Sequence, residues 1–486
     1  MDRRHELEGA SPESGLVYPP SRRSGVPVSN RPRTHPVKQL LNRQKMGLSV
    51  NLHGHTPFMT PQDLSESRLS KALFLAILLV YVVSFFFSQR LTFPLIWDEQ
   101  HYWKTSLLFS QSLIPDLRNY GELSTPLPFI MFGALEYFFK WGIFSGRLLN
   151  LVLSFVMTCL ICLPARKTVR HSILVGCALL SCPYYLWLSS HLYTDIIASF
   201  FVLLGFWFYI RSQNILSGLS FVLAIASRQY MLAFPLAIAA FELFSARRTG
   251  PQVRIRWLAQ LVASLSIVGW FLLFNGLIPQ MALRNPNLPD VPTVQLNWWS
   301  LQPNNGLYFL TCVGLYFVIP ELILFRRKTV LKDLLTRKSG FLILGLALLF
   351  VLFPPPLEAH GLLTKMLRLL PNDLFKIASV YFLALLACVR FSRINLAFWA
   401  LLMNCGLMMK AHQWDKYVLP LLVTFWYLKS VGALDVVRGL SKATVFEGDE
   451  PGHDALALAG SIGDEPPEDK KEDRGPAERT SAFQLA

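Results

Sequence analysis

From about Lys71 to Leu428 the chain is a succession of long apolar runs separated by short polar breaks. The runs fall at roughly 72–89, 148–164, 172–190, 193–210, 214–228, 230–245, 257–274, 305–325, 339–356, 374–389, 394–409 and 417–433. Apolar residues lie all round these runs instead of on one stripe, which predicts helices in hydrocarbon rather than amphipathic helices against a soluble core. A soluble fold is excluded on this pattern, because too little polar sequence remains to cover so many apolar segments. A further run, TPLPFIMFGALEYFF at 125–139, opens with two prolines and carries Glu136. Counting it as a span would invert every later loop, so it is expected to be a helix lying in the non-cytoplasmic interface.

Charge supplies the orientation. Basic clusters occur at Arg166, Lys167 and Arg170, at Arg211, at Arg247, Arg248, Arg254 and Arg256, at Arg326, Arg327, Lys328, Lys332, Arg337 and Lys338, and at Arg390 with Arg393. The positive-inside rule puts all of them, with the basic N-terminal stretch, on the cytoplasmic side of about 12 transmembrane helices. The expected fold is thus an all-α integral membrane protein with both termini cytoplasmic. The formal net charge of +15 is a topology signal on this reading, and no nucleic acid partner is expected. Residues 1–70, rich in Pro, Ser, Arg and Gly, are expected to be a disordered basic tail. Residues 71–433 form the membrane domain, and the acidic stretch 434–486 a second disordered tail. Cys159 and Cys162 form a CxxC, but inside an apolar helix with no partner pair, where helix packing explains them better than metal or redox chemistry.

With this threading the ionisable groups gather on the other face. The first outer loop carries Asp98, Glu99, His101 and Tyr102 in PLIWDEQHYW; later helix ends bring His191 and Asp195 (SHLYTD), Arg228 and Gln229 (ASRQY), Glu358 and His360 (LEAH), and His412 and Lys416 (AHQWDKY). Any one of these is as readily a snorkelling structural group as a functional one. Charges of both signs reached from many helices instead point to a shared pocket. Group transfer from a lipid phosphate would use such a set: a carboxylate takes a proton from an acceptor hydroxyl, and cations stabilise the departing phosphate. Asp98 or Glu99 suits the first task, Arg228 and Lys416 the second; which acid is the base stays open. The clustered acids also leave a divalent metal possible. The aromatics Trp97, Tyr102 and Trp103 fit either an interfacial belt or sugar-stacking faces.

The DE pair in the first outer loop, the Pro-containing STPLPF and Arg147 in FSGRLLNLVLSF resemble, in that order, the GT-C class of polyprenyl-phosphate-sugar-dependent glycosyltransferases. Protein O-mannosyltransferases and the aminoarabinose transferases of lipid A share the outline. The stretch CPYYLWLSSHLYTDIIASFFVLLGFWFYIRSQNILSGLSFVLAIASRQYMLAFPLA is similar to the dolichyl-phosphate-glucose-dependent α-1,2-glucosyltransferases, as is the order of the YT-acid and RQ elements. The resemblance covers roughly residues 72–432. It implies Asp98 and Glu99 as catalytic acids, Asp195 as a second acid at the pocket, and Arg228 with Gln229, Lys416 and His412 toward the donor phosphate or sugar. His101, Tyr102, His191, Glu358 and His360 would be pocket residues. The chain departs from the pattern in QHYW after the acids and in LEAHGLLTKMLRLL, which does not reproduce the family's His-rich outer loop.

The expected function is an inverting transferase that moves a hexose, glucose by resemblance, from a polyprenyl- or dolichyl-phosphate donor to a lipid-linked glycan hydroxyl. Its site would lie on the lumenal or periplasmic face of an ER or prokaryotic membrane. A nucleotide-sugar enzyme is disfavoured, since no glycine-rich phosphate loop is visible. The rival is a twelve-span transporter or flippase; against it, the halves show no internal repeat and the charges sit at one face. A non-catalytic relative acting as an assembly partner is a third possibility.

Overall fold

The computed structural model describes residues 61–87, 91–112, 116–163, 168–249, 254–283, 297–325 and 337–436. Most of the basic N-terminal stretch (1–60), the acidic stretch from 437, and the basic residues Arg166, Lys167, Arg326, Arg327, Lys328 and Lys332 lie outside them.

Among the described residues the fold is helical, and the sole β contact is an isolated bridge between His360 and Trp414. In chain order the helices are α1 (Pro61–Phe87), α2 (Asp98–Ser110), α3 (Leu127–Phe139), α4 (Ile143–Cys162), α5 (Val169–Leu180), α6 (Pro183–Ser189), α7 (Thr194–Ile210) and α8 (Asn214–Ser227). There follow α9 (Ala233–Thr249), α10 (Arg254–Phe274), α11 (Gln280–Leu283), α12 (Pro303–Val313), α13 (Ile319–Phe325), α14 (Arg337–Leu352), α15 (Leu362–Leu367), α16 (Asp373–Arg390), α17 (Leu396–Met408) and α18 (Leu419–Ser430).

All twelve expected runs fall on helix, with differences that have local causes. The tail expected through residue 70 gives way to α1 at Pro61. The run 172–190 is two helices, α5 and α6, bent by 74°; Pro183 lacks the N–H that would continue the first helix and sits in the first turn of the second. The run 339–356 stops at Leu352, ahead of Pro354, Pro355 and Pro356. Three described helical segments are long and apolar enough to cross a membrane: 143–162, 256–274 and 303–325. The α5–α6 pair makes a fourth if taken as one span, and the other apolar helices are shorter.

Outward faces are apolar. Leu75, Leu79, Val83 and Phe86 on α1, Leu258, Val262, Leu265 and Leu272 on α10, and Leu344, Leu348 and Val351 on α14 are all exposed at helical spacing. Inward faces carry the small and polar residues, as expected where lipid is the solvent and polar groups must find partners inside. On α4, Arg147, Asn150, Ser154 and Thr158 form such a buried stripe. There the Thr158 hydroxyl lies 2.9 Å from both the Tyr81 and Tyr185 hydroxyls, and Tyr185 donates to the Ser154 carbonyl at 2.7 Å.

Two buried ion clusters mark opposite ends of α18. Lys429, near its C-terminus, meets Glu321 at 2.6 Å; the same carboxylate accepts from Arg390, which also reaches Asp435 at 3.0 Å. Arg390 is therefore not a loop cation but the centre of a clamp joining α13, α16 and the end of α18. The second cluster, at Lys416, lies thirteen residues earlier, roughly 20 Å away at 1.5 Å per helical residue.

Candidate functional site: paired charges around an apolar cavity

The turn that delivers the two acids is tied down by α4. Arg147 donates to the Phe93 and Pro94 carbonyls at 2.7 and 3.3 Å and grips Glu99 with two N–H groups, at 2.9 and 2.6 Å. Each Glu99 oxygen accepts a second bond, from the Leu192 and Ile96 amides. Asn150, one turn along α4, donates to the His191 and Tyr193 carbonyls at 2.7 and 2.8 Å. So a single helix face fixes both the start of α2 and the turn leading into α7. Trp97 sits between them with φ 47°, a left-handed conformation uncommon for a bulky residue. This local strain, held by the hydrogen bonds on either side, sets the direction in which Asp98 leaves the turn.

Asp98 points the other way from Glu99. It lines a cavity of about 1570 Å³ and its side chain is 32% exposed, while Glu99 is fully buried. Behind Asp98 stands Lys416, 1% exposed, with Nζ 2.9 Å from the carboxylate and 3.3 Å from the centre of the Trp414 ring. Burial pushes the Lys416 ammonium down, and Asp98 and Asp195 pull it back up. The same arrangement recurs at Arg228, which lines the cavity from the C-terminal end of α8 with Asp195 behind it at 3.1 Å. Asp195 lies in the first turn of α7, where the helix N-terminus favours an anion. Arg228 also donates to the Thr194 and Tyr230 hydroxyls at 2.7 and 2.6 Å.

Of the residues expected at a pocket, Asp98, His101, Tyr102, Arg228, Gln229, His360 and His412 line this cavity. Glu99, Asp195, Lys416, His191 and Glu358 do not. Glu99, Asp195 and Lys416 are buried partners that position others. His191 is buried with Nδ1 2.6 Å from the Trp187 carbonyl and its ring 4.8 Å from that of Trp187, which does line the cavity. Glu358 is exposed, away from the lining. His412 and His360 face one another at 3.3 Å, and burial holds the His412 imidazole below its usual range, aided by His360 and Lys416.

Three charged wall residues carry no signal in the sequence pattern. Glu122 sits in the loop before α3, Lys365 in the short helix α15, and Lys410 just after α17, where it donates to the Asn297 and Ser300 carbonyls. Lys365 is exposed and has no ion-pair partner among the described residues. α15 is anchored by Asp415, which accepts from the Tyr184 and Tyr316 hydroxyls at 2.6 and 2.7 Å and from the Leu363 amide at 3.0 Å. Gly361, at φ 130°, makes that contact possible, since a Cβ there would overlap the Asp415 carboxylate. Much of the wall is apolar, with Leu180, Leu186, Ile267, Phe271 and Ile278 among it. Among the described residues no group of three or more His, Cys, Asp or Glu is arranged to hold a metal ion.

The volume exceeds the few hundred to ~1,000 Å³ of ordinary small-molecule pockets and has charged and greasy sides. Such a cavity can take an amphiphile, with its polar end against Asp98 and Arg228.

No protein-family model matches the chain, and no curated protein matches it. Two solved structures are similar to it. ArnT from Cupriavidus metallidurans bound to undecaprenyl phosphate is 16% identical, with 74% of this chain and 78% of that one covered at a TM-score of 0.40. The apo state of the same protein is 16% identical, with 76% of each chain covered at 0.39.

Proposed function

We infer that this chain is a polyprenyl-phosphate-sugar-dependent glycosyltransferase of the GT-C class, threaded through the membrane about twelve times with its cavity on the non-cytoplasmic side. The observation that carries the reading is the pairing at the cavity wall: Asp98, partly exposed, with Lys416 behind it, and Arg228, buried in the wall, with Asp195 behind it. A base must be held in place to meet its proton, and the Lys416 ammonium at 2.9 Å fixes the Asp98 carboxyl at the wall. Asp98 takes the acceptor proton, the acceptor oxygen attacks the anomeric carbon, and the C–O bond to the lipid phosphate breaks on the opposite face. The configuration therefore inverts. Arg228 and Lys365 meet the departing phosphate, and the apolar wall takes the first isoprene units of the lipid. Glu99 and Arg147 act as positioning residues for Asp98. By sequence resemblance the sugar is glucose, the carrier dolichyl phosphate and the acceptor a lipid-linked glycan.

A transporter has less support, since its site must be reached from both faces and the cavity charges here gather at one end of α18 and at the neighbouring helix ends. The test is transfer by the purified full-length protein from radiolabelled polyprenyl-phosphate glucose, mannose and aminoarabinose to a crude lipid-glycan extract. Movement of one label is the expected outcome. Flux of the intact lipid across liposomes without transfer would replace this reading with the rival.

A further inference from the structure

Three carboxylates near the cavity have a cation close by: Asp98 has Lys416, Asp195 has Arg228 and Glu99 has Arg147. Glu122 has no ion-pair partner among the described residues, although it is only 5% exposed and forms part of the cavity wall. Its loop is not free to carry it elsewhere. Tyr120 donates to the Ser124 carbonyl at 2.7 Å, Gln229 donates to the Leu123 carbonyl at 2.9 Å, and Thr125 donates to the Ile225 carbonyl at 2.8 Å. The loop is thus closed on itself across Glu122 and fastened just beyond it, at Leu123 and Thr125, to the end of α8, which also delivers Arg228. A buried carboxyl held rigidly at a cavity, satisfied only by the Thr105 hydroxyl, has hydrogen-bonding capacity left for a ligand.

We propose that Glu122 is a further substrate-binding residue of this cavity, whose carboxyl hydrogen-bonds a hydroxyl of the sugar carried by the lipid phosphate. The proposal rests on the transferase reading above for the identity of that ligand. Its chemistry follows from the surroundings. Burial and the nearby Asp98 push the Glu122 carboxyl up to about 8, while Arg228 and the Thr105 hydroxyl pull it back. The other titratable groups on the wall include His101 and Tyr102 from α2, Tyr230 and Tyr417 near Arg228, and, from the far elements, His360, Lys365, Lys410 and His412. At neutral pH Glu122 is therefore protonated. It donates one hydrogen bond and accepts another, as sugar hydroxyls require, and adds no second anion beside Asp98 and a phosphodiester. Above about pH 8 it ionises, loses its donor and repels the phosphate.

The experiment compares binding of polyprenyl-phosphate glucose with that of bare polyprenyl phosphate by the full-length protein in detergent, at pH 6.5 and 9.5. Wild type is expected to prefer the glycosylated lipid by about fivefold to tenfold at pH 6.5, the value of one good net hydrogen bond, and to lose the preference at pH 9.5. Glu122→Ala abolishes the preference at both pH values. Glu122→Gln, a neutral isostere, keeps a smaller preference but makes it independent of pH. A wild-type preference unchanged between the two pH values, or one that survives in Glu122→Ala, overturns the proposal, as does a wild type with no preference. An intact pattern of preference in a protein that transfers no sugar would instead count against the transferase reading alone.

Discussion

In Glu99 each carboxylate oxygen already accepts two hydrogen bonds, from Arg147 and from a backbone amide, whereas Asp98, the residue before it, faces a cavity. The proposed division into a positioning acid and a base rests on this difference, in a pair that the sequence leaves symmetric. Truncating Glu99 leaves the Arg147 guanidinium buried without its counter-charge. Breaking a buried pair in this way costs about 3–5 kcal/mol, so Glu99→Ala should lower the detergent melting temperature sharply. Asp98→Asn should lower it less, because the site is partly exposed and Asp195 remains near the buried Lys416. Equal melting temperatures for the two variants would contradict the division. Glu122 and Lys365 show the limit of residue-level reading. One sits in a Gly-Glu-Leu-Ser turn and the other in a departure from the family pattern, and only the folding back of the 120–125 loop and α15 brings them to the wall.

Among the described elements, α2 is the longest that the apolar pattern did not announce, the short α11 and α15 being the others. Its buried face is Glu99, Tyr102, Thr105, Ser106 and Phe109, a helical spacing of i, i+3, i+6, i+7 and i+10. Three of those five are polar, so a search for apolar runs passes over it. The neighbouring α3 was legible because its core residues, Phe129 and Phe132, are apolar. It ends in the exposed rings of Tyr137, Phe138, Phe139 and Trp141. The two helices meet at Gly133, where a Cβ would lie 2.7 Å from the Ser106 carbonyl oxygen and 2.9 Å from Phe109. Gly133→Val should force α2 off its seat at a cost of about 1–3 kcal/mol and displace Asp98 with it. Transfer is expected to fall at least roughly tenfold, since an ångström of misplacement is costly in a positioned site. A variant with unchanged transfer would show that the base does not depend on α2 packing.

At the scale of the whole molecule the chain separates stability from chemistry along α18. Its C-terminal end is locked by Glu321, Arg390 and Lys429, and its N-terminal end presents Lys416 to Asp98. Arg390→Ala should therefore cost about 3–5 kcal/mol of stability while leaving turnover per folded molecule intact; scanning calorimetry with an active-site count separates the two. That Asp98, His101, Arg228, His360 and His412 share one cavity was legible from the alternation of basic and mixed-charge loops. Which groups face the cavity and which stand behind them was not, because that depends on side-chain direction at helix ends.

The most direct measurement compares wild type with Asp98→Asn for sugar transfer and, in parallel, for binding of the lipid-phosphate sugar that wild type uses. The account predicts that Asp98→Asn loses at least about 10²-fold in transfer while binding the donor within a few-fold of wild type. Full transfer by Asp98→Asn would contradict the assignment of Asp98 as the base.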